Sequence, residues 1–230
     1  MSNFVQAFEG KLNSFVRISA CRGSKIPRLA ESMLTTKEFS STGRGALGTS
    51  LSHISVWEKV VSEGIDNALV LEDDAVPLFS TQWTFEHLGL PTNYDLCFVN
   101  CRMLRGNLKT SVSLQEHKFV SCFDAMMQFS DEDNAPGADG YIISAAAAQK
   151  LLAWFNEDKF GSFLDWRLVA YCLNVSEIGD LPDGRTAKAV LKILGSGIKR
   201  DDRLEGYVMC PPLVDTLVGP SDVWQENNAR

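Results

Sequence analysis

The 230-residue sequence has no Cys-x-x-Cys pair, no signal-like apolar core near its N-terminus and no apolar run long enough to span a membrane. Its six cysteines are scattered through apolar surroundings, which is typical of small buried side chains rather than of a zinc site or disulfides. Basic residues are few, since 22 Lys and Arg stand against 29 Asp and Glu. A general nucleic-acid-binding protein would carry a basic stripe. These absences favour a cytoplasmic protein with no nucleic-acid partner and no transmembrane segment.

The composition is that of a folded domain with a sizeable core. Hydrophobic residues make up 45% of the chain and charged residues 22%, which is ordinary for a globular protein. The length predicts a single domain. Within it we distinguish an N-terminal helix, strand and helix (residues 1–66), a portion with an acidic motif and central strands (67–144), and a portion with later helices and a tail (145–230).

An acidic triplet, Glu72-Asp73-Asp74, closes the short apolar run 67–71. Such a run predicts a buried strand of a parallel sheet, although periodicity alone leaves a helix segment open. Ligands of open α/β sheets bind at the carboxyl ends of the strands. Three adjacent carboxylates repel one another unless a cation offsets their charge, and Mg²⁺ or Mn²⁺ would do so while holding a substrate phosphate. The alternative is a solvated turn.

The orientation of these acidic side chains follows from the extended backbone that we predict for them. Residues two apart on an extended segment point to the same face, so Glu72 and Asp74 are the predicted metal ligands, with Asp74 as the first choice. Asp73 is then expected to face the other way.

Helices and strands alternate around the triplet. Helices are predicted at residues 4–12, 47–61, 83–88 and 163–173, and another begins after Ser144 as its N-cap. Strands are predicted at residues 14–20, 67–71, 94–100, 118–126 and 140–144, with an extended segment at 208–214. Residues 25–42 have weak periodicity and are predicted to end in a loop. This pattern indicates an α/β fold.

Three stretches together resemble a known family. They are Gly45-Ala-Leu-Gly-Thr-Ser-Leu-Ser-His with the Trp-bearing helix that follows, Ala68-Leu-Val-Leu-Glu-Asp-Asp, and Gly137-Ala-Asp-Gly-Tyr-Ile-Ile-Ser. Their order and the close spacing of the first two resemble glycosyltransferase family 25, the lipopolysaccharide-type and collagen-type glycosyltransferases. The resemblance covers roughly residues 14–223.

The resemblance implies a GT-A-like fold, in which helices flank a Rossmann-like, mostly parallel sheet. In that fold the acidic motif binds Mn²⁺ or Mg²⁺ together with the diphosphate of a nucleotide sugar. It further implies an inverting transfer of galactose or glucose from a UDP-linked donor such as UDP-galactose. The acceptor would be a hydroxyl of a glycan, lipid-linked or protein-linked molecule, as in lipopolysaccharide biosynthesis.

Two aspartates are candidates for the base that an inverting transfer needs. Asp165 matches the acidic position after the family's Gly-Tyr motif, and Asp139 is its rival. The other interpretation of Asp165 is structural, because an Asp in the first turn of a helix commonly stabilises the helix dipole.

Donor-binding roles are predicted for five residues. Glu72 and the acidic loop would contact the donor through the metal, and Asp73 would reach the ribose or fix a loop. On the Trp-bearing helix, Ser52 would contact the donor or the backbone, and His53 would orient the acidic loop or touch the donor, although a lone His in a helix is more often a packing or capping residue. Asn100 ends the neighbouring strand and lines the same crevice.

The sequence also departs from the family pattern. The family's first strand and Arg-bearing turn have no counterpart here, which predicts an N-terminally shortened member. Ala46 replaces a common Glu, Thr49 a Cys, and Thr216 a Gln that often follows the Pro-Leu stretch. These departures favour an alternative, a non-catalytic carbohydrate-binding or partner module. A metal-dependent phosphohydrolase is a third interpretation, which depends on the acidic cluster alone.

Overall fold

The computed structural model describes residues 2–12, 15–37, 39, 43–79, 84–100, 102–103, 118–127, 136–174, 177, 190, 192–193 and 202–216. Its helices are α1 (Ser2–Phe8), α2 (Arg28–Leu34), α3 (Arg44–Ser62), α4 (Phe85–Leu88), α5 (Cys122–Met127), α6 (Ala145–Asp158) and α7 (Leu164–Tyr171). Its strands are β1 (Asn67–Leu71), β2 (Ala75–Pro77), β3 (Leu96–Phe98), β4 (Lys118–Ser121), β5 (Gly140–Ser144), β6 (Gly206–Cys210) and β7 (Val214–Thr216). A short 3-10 helix at Gly23–Lys25 precedes α2.

The central sheet has the strand order β1-β5-β3-β6-β4. Strand β5 is antiparallel to both of its neighbours, β1 and β3, whereas β3 and β6 are parallel and β4 is antiparallel to β6. Strands β1, β3 and β6 therefore run in the same direction. A second, small sheet pairs β2 with β7. The α/β class, the flanking helices and consistency with a GT-A-like fold are confirmed, but the sheet is mixed rather than mostly parallel.

Each face of the central sheet carries its own apolar core, because side chains alternate along the strands. On one face, Tyr141 and Ile143 of β5 pack with α3, α6 and α7. On the other face, Ile142 packs with Phe8 of α1 and with Phe79. Burial on both faces explains why β1 and β5 are almost continuously apolar in sequence.

Several predicted elements agree closely with the structure. The predicted strands at 67–71 and 140–144 have the observed bounds of β1 and β5. Ser144 caps α6 by accepting a hydrogen bond from the Ala147 N–H at 3.1 Å. Helix α3 ends at Ser62, and Gly64 beyond it has a φ of 65°, the left-handed conformation typical of glycine after a helix.

Other predicted elements are wrong. Residues 15–20 form no regular structure, although they alternate in sequence. Helix α2 lies within the segment 25–42, for which no helix was predicted. The strand predicted at 118–126 stops at Ser121, because the Ser121 hydroxyl accepts from the Asp124 N–H and caps α5. The predicted strand at 94–100 is shortened to β3.

Among the described helices, none is both long and apolar enough to cross a membrane. The cytoplasmic location stays a prediction.

Candidate functional site

The acidic triplet forms a tight turn between the two sheets. Strand β1 ends at Leu71, and the Ala75 N–H donates to the Glu72 carbonyl at 3.2 Å. The extended backbone predicted for residues 72–74 is therefore wrong, because the chain must turn there to leave the central sheet and enter β2. Asp73 at the tip is exposed. Glu72 and Asp74 nevertheless share one site, since the Glu72 charge acts on Asp74.

Asp74 is a partly buried carboxyl group of the same turn. Burial, followed by the negative charges of Glu72 and Asp139, raises its pKa to about 6. Its Oδ1 atom is buried and has no hydrogen-bond partner among the residues that the structure describes. A buried carboxylate oxygen without a donor is costly, so this atom is available to a cation or to a ligand's hydrogen-bond donor.

Glu72 stays anionic in the same surroundings. About a third of its side chain is exposed (35%), and Oε1 lies 3.3 Å from Nε2 of His53. Burial acts to raise its pKa, but the contact with His53, its hydrogen bond first, and the charge of Arg102 outweigh it and hold the pKa below the usual value.

Asp139 is engaged through both of its carboxylate oxygens. Its Oδ1 accepts from Nε of Arg102 at 3.0 Å, and its Oδ2 accepts from the Thr216 hydroxyl. The side chain is almost wholly buried, at 2% exposure. With both oxygens occupied, Asp139 suits the task of holding Arg102 and β7 in place better than that of a base.

Asn100 joins the same cluster, fully buried at the end of the segment after β3. Its Nδ2 donates to the carbonyls of Gly137 at 2.7 Å and Gly140 at 3.2 Å, and its Oδ1 accepts from the Arg102 N–H at 3.1 Å. The predicted donor contact of Asn100 thus competes with bonds that fix the loop before β5.

Asp165 lies in the first turn of α7, as predicted. Its Oδ1 accepts from the Trp166 N–H at 2.9 Å. Burial is the main cause that raises its pKa to about 7, and the charges of Glu72 and Asp139 raise it further. The hydrogen bond from the Trp166 N–H and the charge of Arg102 lower the pKa but do not cancel these effects. A carboxyl group with a pKa near neutrality is suited to proton transfer at physiological pH.

Ser52 and His53 have different tasks on α3. The Ser52 hydroxyl donates to the Gly48 carbonyl and accepts from the Cys21 N–H, both at 2.8 Å, so it anchors the segment before the 3-10 helix. His53 is buried and reaches Glu72. Only His53 of this pair touches the acidic cluster.

The structure brings Arg102 within electrostatic range of four carboxylates, Glu72, Asp74, Asp139 and Asp165. Sequence reasoning missed Arg102 as a site residue, although its place two residues after Asn100 at a strand end was a signal. Within the described part of the chain, no three His, Cys, Asp or Glu side chains converge closely enough to form a metal-binding group by themselves.

An α/β domain with an acidic cluster at the end of β1, an edge strand of its main sheet, defines the class, a GT-A-like domain. The family model described as glycosyltransferase family 25 (LPS biosynthesis protein) matches residues 2–161. The chain belongs to this family. Ser52, His53, the acidic turn, Asn100 and Asp139 lie inside the matched range, whereas Asp165 and Thr216 lie beyond it.

Two curated relatives extend the comparison. Procollagen galactosyltransferase 2 of Homo sapiens is 29% identical over 162 residues, which cover 70% of this chain and 24% of the relative. Procollagen galactosyltransferase 2 of Mus musculus is 29% identical over 121 residues, 53% of this chain and 18% of the relative. The chain thus spans about a quarter or less of the length of these relatives.

Proposed function

We propose that the protein is a metal-dependent inverting glycosyltransferase that moves a hexose from a nucleotide diphosphate sugar to a hydroxyl acceptor. The family membership supports sugar transfer as the reaction class. The observation that carries the proposal is the buried Oδ1 of Asp74, which has no hydrogen-bond partner among the described residues, in a turn that already holds an anionic Glu72.

The residues of the acidic turn fit a hard divalent cation. Such ions prefer carboxylate oxygens and complete their shells with water and substrate phosphate. Glu72 and Asp74 would hold Mn²⁺ or Mg²⁺, with Oδ1 of Asp74 as the first ligand. When bound, the ion would stabilise negative charge on the departing diphosphate as a Lewis acid.

Arg102 would assist at the same diphosphate. Its Nε donates to Asp139, and its two terminal nitrogens have no hydrogen-bond partner among the described residues. A guanidinium presents paired donors that match phosphate oxygens in geometry. Asp139, Thr216 and Asn100 hold Arg102 in that position.

Asp165 would take the proton from the acceptor hydroxyl. Its Oδ1 is fixed by the Trp166 N–H, and no described donor contacts its other oxygen. A base in an inverting transfer has to be ionised yet able to bind a proton, and the raised pKa of Asp165 meets both needs near neutral pH. Asp139, with both oxygens occupied, is the weaker candidate.

The donor and acceptor are proposed at the level of chemical class. We propose a UDP-linked galactose or glucose as the donor, in keeping with relatives named as galactosyltransferases. The acceptor would be a hydroxyl of a glycan, in lipid-linked form as in lipopolysaccharide biosynthesis, or in protein-linked form.

A donor screen tests the proposal. The protein is incubated with Mn²⁺, a set of UDP-sugars and a mixed panel of glycan acceptors, and the products are identified by mass spectrometry. We expect an acceptor enlarged by one hexose, with release of UDP, and loss of the product on chelation with EDTA.

The alternatives give different results in the same screen. Binding of a glycan or of UDP without any transfer would indicate the non-catalytic module. Phosphate release from the nucleotide sugar without a glycosylated product would indicate the phosphohydrolase. Either result contradicts the proposed function.

A further inference from the structure

A series of hydrogen bonds connects buried side chains of the core to Glu72. Trp57 Nε1 donates to the Tyr141 hydroxyl at 3.0 Å, and that hydroxyl lies 2.8 Å from Nδ1 of His53. Nε2 of His53 then lies 3.3 Å from Oε1 of Glu72. Trp57 and Tyr141 have no exposed surface, and His53 is 5% exposed.

Three packed elements place these side chains together. His53 and Trp57 are four residues apart on α3 and therefore lie on one face of that helix. Tyr141 lies on β5, opposite Val70 of the neighbouring β1, and Glu72 follows directly after β1. Helix α3 covers the same face of the sheet as Tyr141.

The chemistry of these groups determines which atom donates and which accepts in each hydrogen bond. An indole N–H can only donate, so the Tyr141 oxygen is an acceptor towards Trp57. Burial raises the pKa of Tyr141 far above its usual value, so the phenol keeps its own proton. Among the described residues, Nδ1 of His53 is the acceptor within reach of that proton.

A proton on Nδ1 of His53 would break this arrangement. Two donors would then face the Tyr141 oxygen, and the phenol proton would have no partner in a fully buried site, which is costly. With Nδ1 free to accept, the imidazole proton sits on Nε2 and points at Oε1 of Glu72.

We propose that Trp57 and Tyr141 are positioning residues, which hold His53 as the neutral Nε2–H tautomer and thereby fix the orientation of Glu72. Oε1 of Glu72 is engaged by His53, and no described donor contacts Oε2, so that oxygen is presented to the ligand of the site. The effect of this positioning on turnover rests on the proposed function, whereas the tautomer of His53 is a property of the free protein.

The expected size of the effect follows from comparable sites. In metal sites, loss of a side chain that orients a ligand residue through hydrogen bonds costs about 10- to 100-fold in metal affinity or activity. Tyr141→Phe removes one hydroxyl while it keeps the aromatic ring, so we expect kcat to fall by about that factor.

Nitrogen NMR of histidine-labelled protein without ligand tests the inference directly. The chain has three histidines, and the signals of His53 are identified by their loss in His53→Gln. At pH 8 we expect Nδ1 of His53 to resonate as an unprotonated nitrogen and Nε2 as a protonated one. In Tyr141→Phe the two nitrogen signals should shift towards a mixture of tautomers.

Tyr171→Phe is the matched control, since it removes a buried tyrosine hydroxyl that bonds to Asp158 and Arg167 instead. It should leave the His53 signals unchanged. Trp57→Phe is the second variant, which removes the N–H donor and should also disturb the His53 signals if Tyr141→Phe fails to fold.

A protonated Nδ1 in the wild type, or unchanged His53 signals in both Tyr141→Phe and Trp57→Phe, would overturn the inference. If the expected tautomer is found but no sugar is transferred in the donor screen, the positioning of Glu72 stands and the proposed function fails.

Discussion

Asp74 and Asp165 are carboxyl groups with raised pKa values in a cluster that also contains an anionic Glu72. Burial is the first cause for both, and neighbouring carboxylates add to it. Their environments differ in the contacts of the carboxylate oxygens. A backbone hydrogen bond acts on each of them, but of the two only Asp74 has an oxygen that is buried and has no described partner. The two residues therefore suit different tasks, cation binding and proton transfer.

The raised pKa of Asp165 predicts the pH dependence of the reaction. As a base it has to be ionised, and the ionised fraction falls as the pH drops through about 7. We expect kcat/KM for the donor to rise with pH and level off above about 7, with a slope near tenfold per pH unit between about 6 and 7. Below about 6, protonation of Asp74 should make the fall steeper. A steady-state pH profile measures this. A profile that is flat between pH 5 and 8 would remove Asp165 from the role of base.

The same shift predicts that Asp165 lowers stability at alkaline pH. A carboxyl group whose folded pKa exceeds its unfolded value of 3.8 stabilises the fold below that value and loses this contribution as the pH rises through about 7. Asp165→Asn keeps an oxygen for the Trp166 N–H but carries no charge. We expect it to raise Tm at pH 8 by about 2–4 °C, which corresponds to about 1 kcal/mol in a chain of this size.

Thermal unfolding followed by circular dichroism at pH 8 and at pH 4 measures the effect. The difference between Asp165→Asn and the wild type should shrink at pH 4. Asp66→Asn removes a charge from an exposed position and serves as the control, with no change expected at either pH. A lower Tm for Asp165→Asn at pH 8 would show that the charge is stabilised in the fold.

Among the elements, α3 links the site to the segment before α2. Gly48 on this helix lies so close to that segment that a Cβ would be 2.5 Å from the Cys21 carbonyl oxygen and 2.6 Å from the Gly23 nitrogen. These are backbone atoms, which cannot rotate away. The contact also brings the Cys21 N–H to the Ser52 hydroxyl.

Gly48→Ala is therefore expected to force the segment away from α3 and to destabilise the fold by about 1–3 kcal/mol, the usual cost of overpacking. Gly64→Ala is the comparison, because a Cβ there meets no atom within 4 Å and only the left-handed backbone is strained, at about 1–2 kcal/mol. Urea unfolding measures both. Equal or greater stability of Gly48→Ala relative to the wild type would contradict the close contact.

Element prediction from the sequence succeeded where burial and periodicity agree. Strands β1 and β5 are short apolar runs with polar ends, and α3 has a clear apolar stripe that Gly64 ends. Helix α2 was missed because none of its residues is fully buried, and its Leu29 and Met33 are 73% and 65% exposed. Its sequence therefore carries no stripe that marks a core.

The way in which the elements assemble the site was only partly predictable from the sequence. Glu72 and Asp74 could be assigned from their place after an apolar run, because that signal is local. Arg102 had only the weak signal of its place after Asn100, and its contact with Asp139 joins residues 37 positions apart. Thr216 could not be assigned to the site, since its contact with Asp139 joins residues 77 positions apart and depends on the pairing of β7 with β2. Sequence patterns predict elements better than such long-range meetings.

For the whole molecule, the mixed sheet sets where the site lies. Strands β1, β3 and β6 run in one direction, and the acidic turn and Asn100 follow the ends of β1 and β3. Strand β5 lies between them and runs in the opposite direction. Asp139, which directly precedes β5, therefore lies at the same edge of the sheet. This arrangement gathers charges from four distant parts of a chain that belongs to glycosyltransferase family 25.

Calorimetric titration of UDP with and without Mn²⁺ tests the central claim, that the acidic turn binds a cation and, through that cation, a diphosphate. We predict that UDP binds the wild type only when Mn²⁺ is present. We predict that Asp74→Asn loses this binding by at least about tenfold, whereas Asp66→Asn, the same change before β1, keeps it. Binding of UDP that is equal with and without Mn²⁺, or unaffected by Asp74→Asn, would contradict the account.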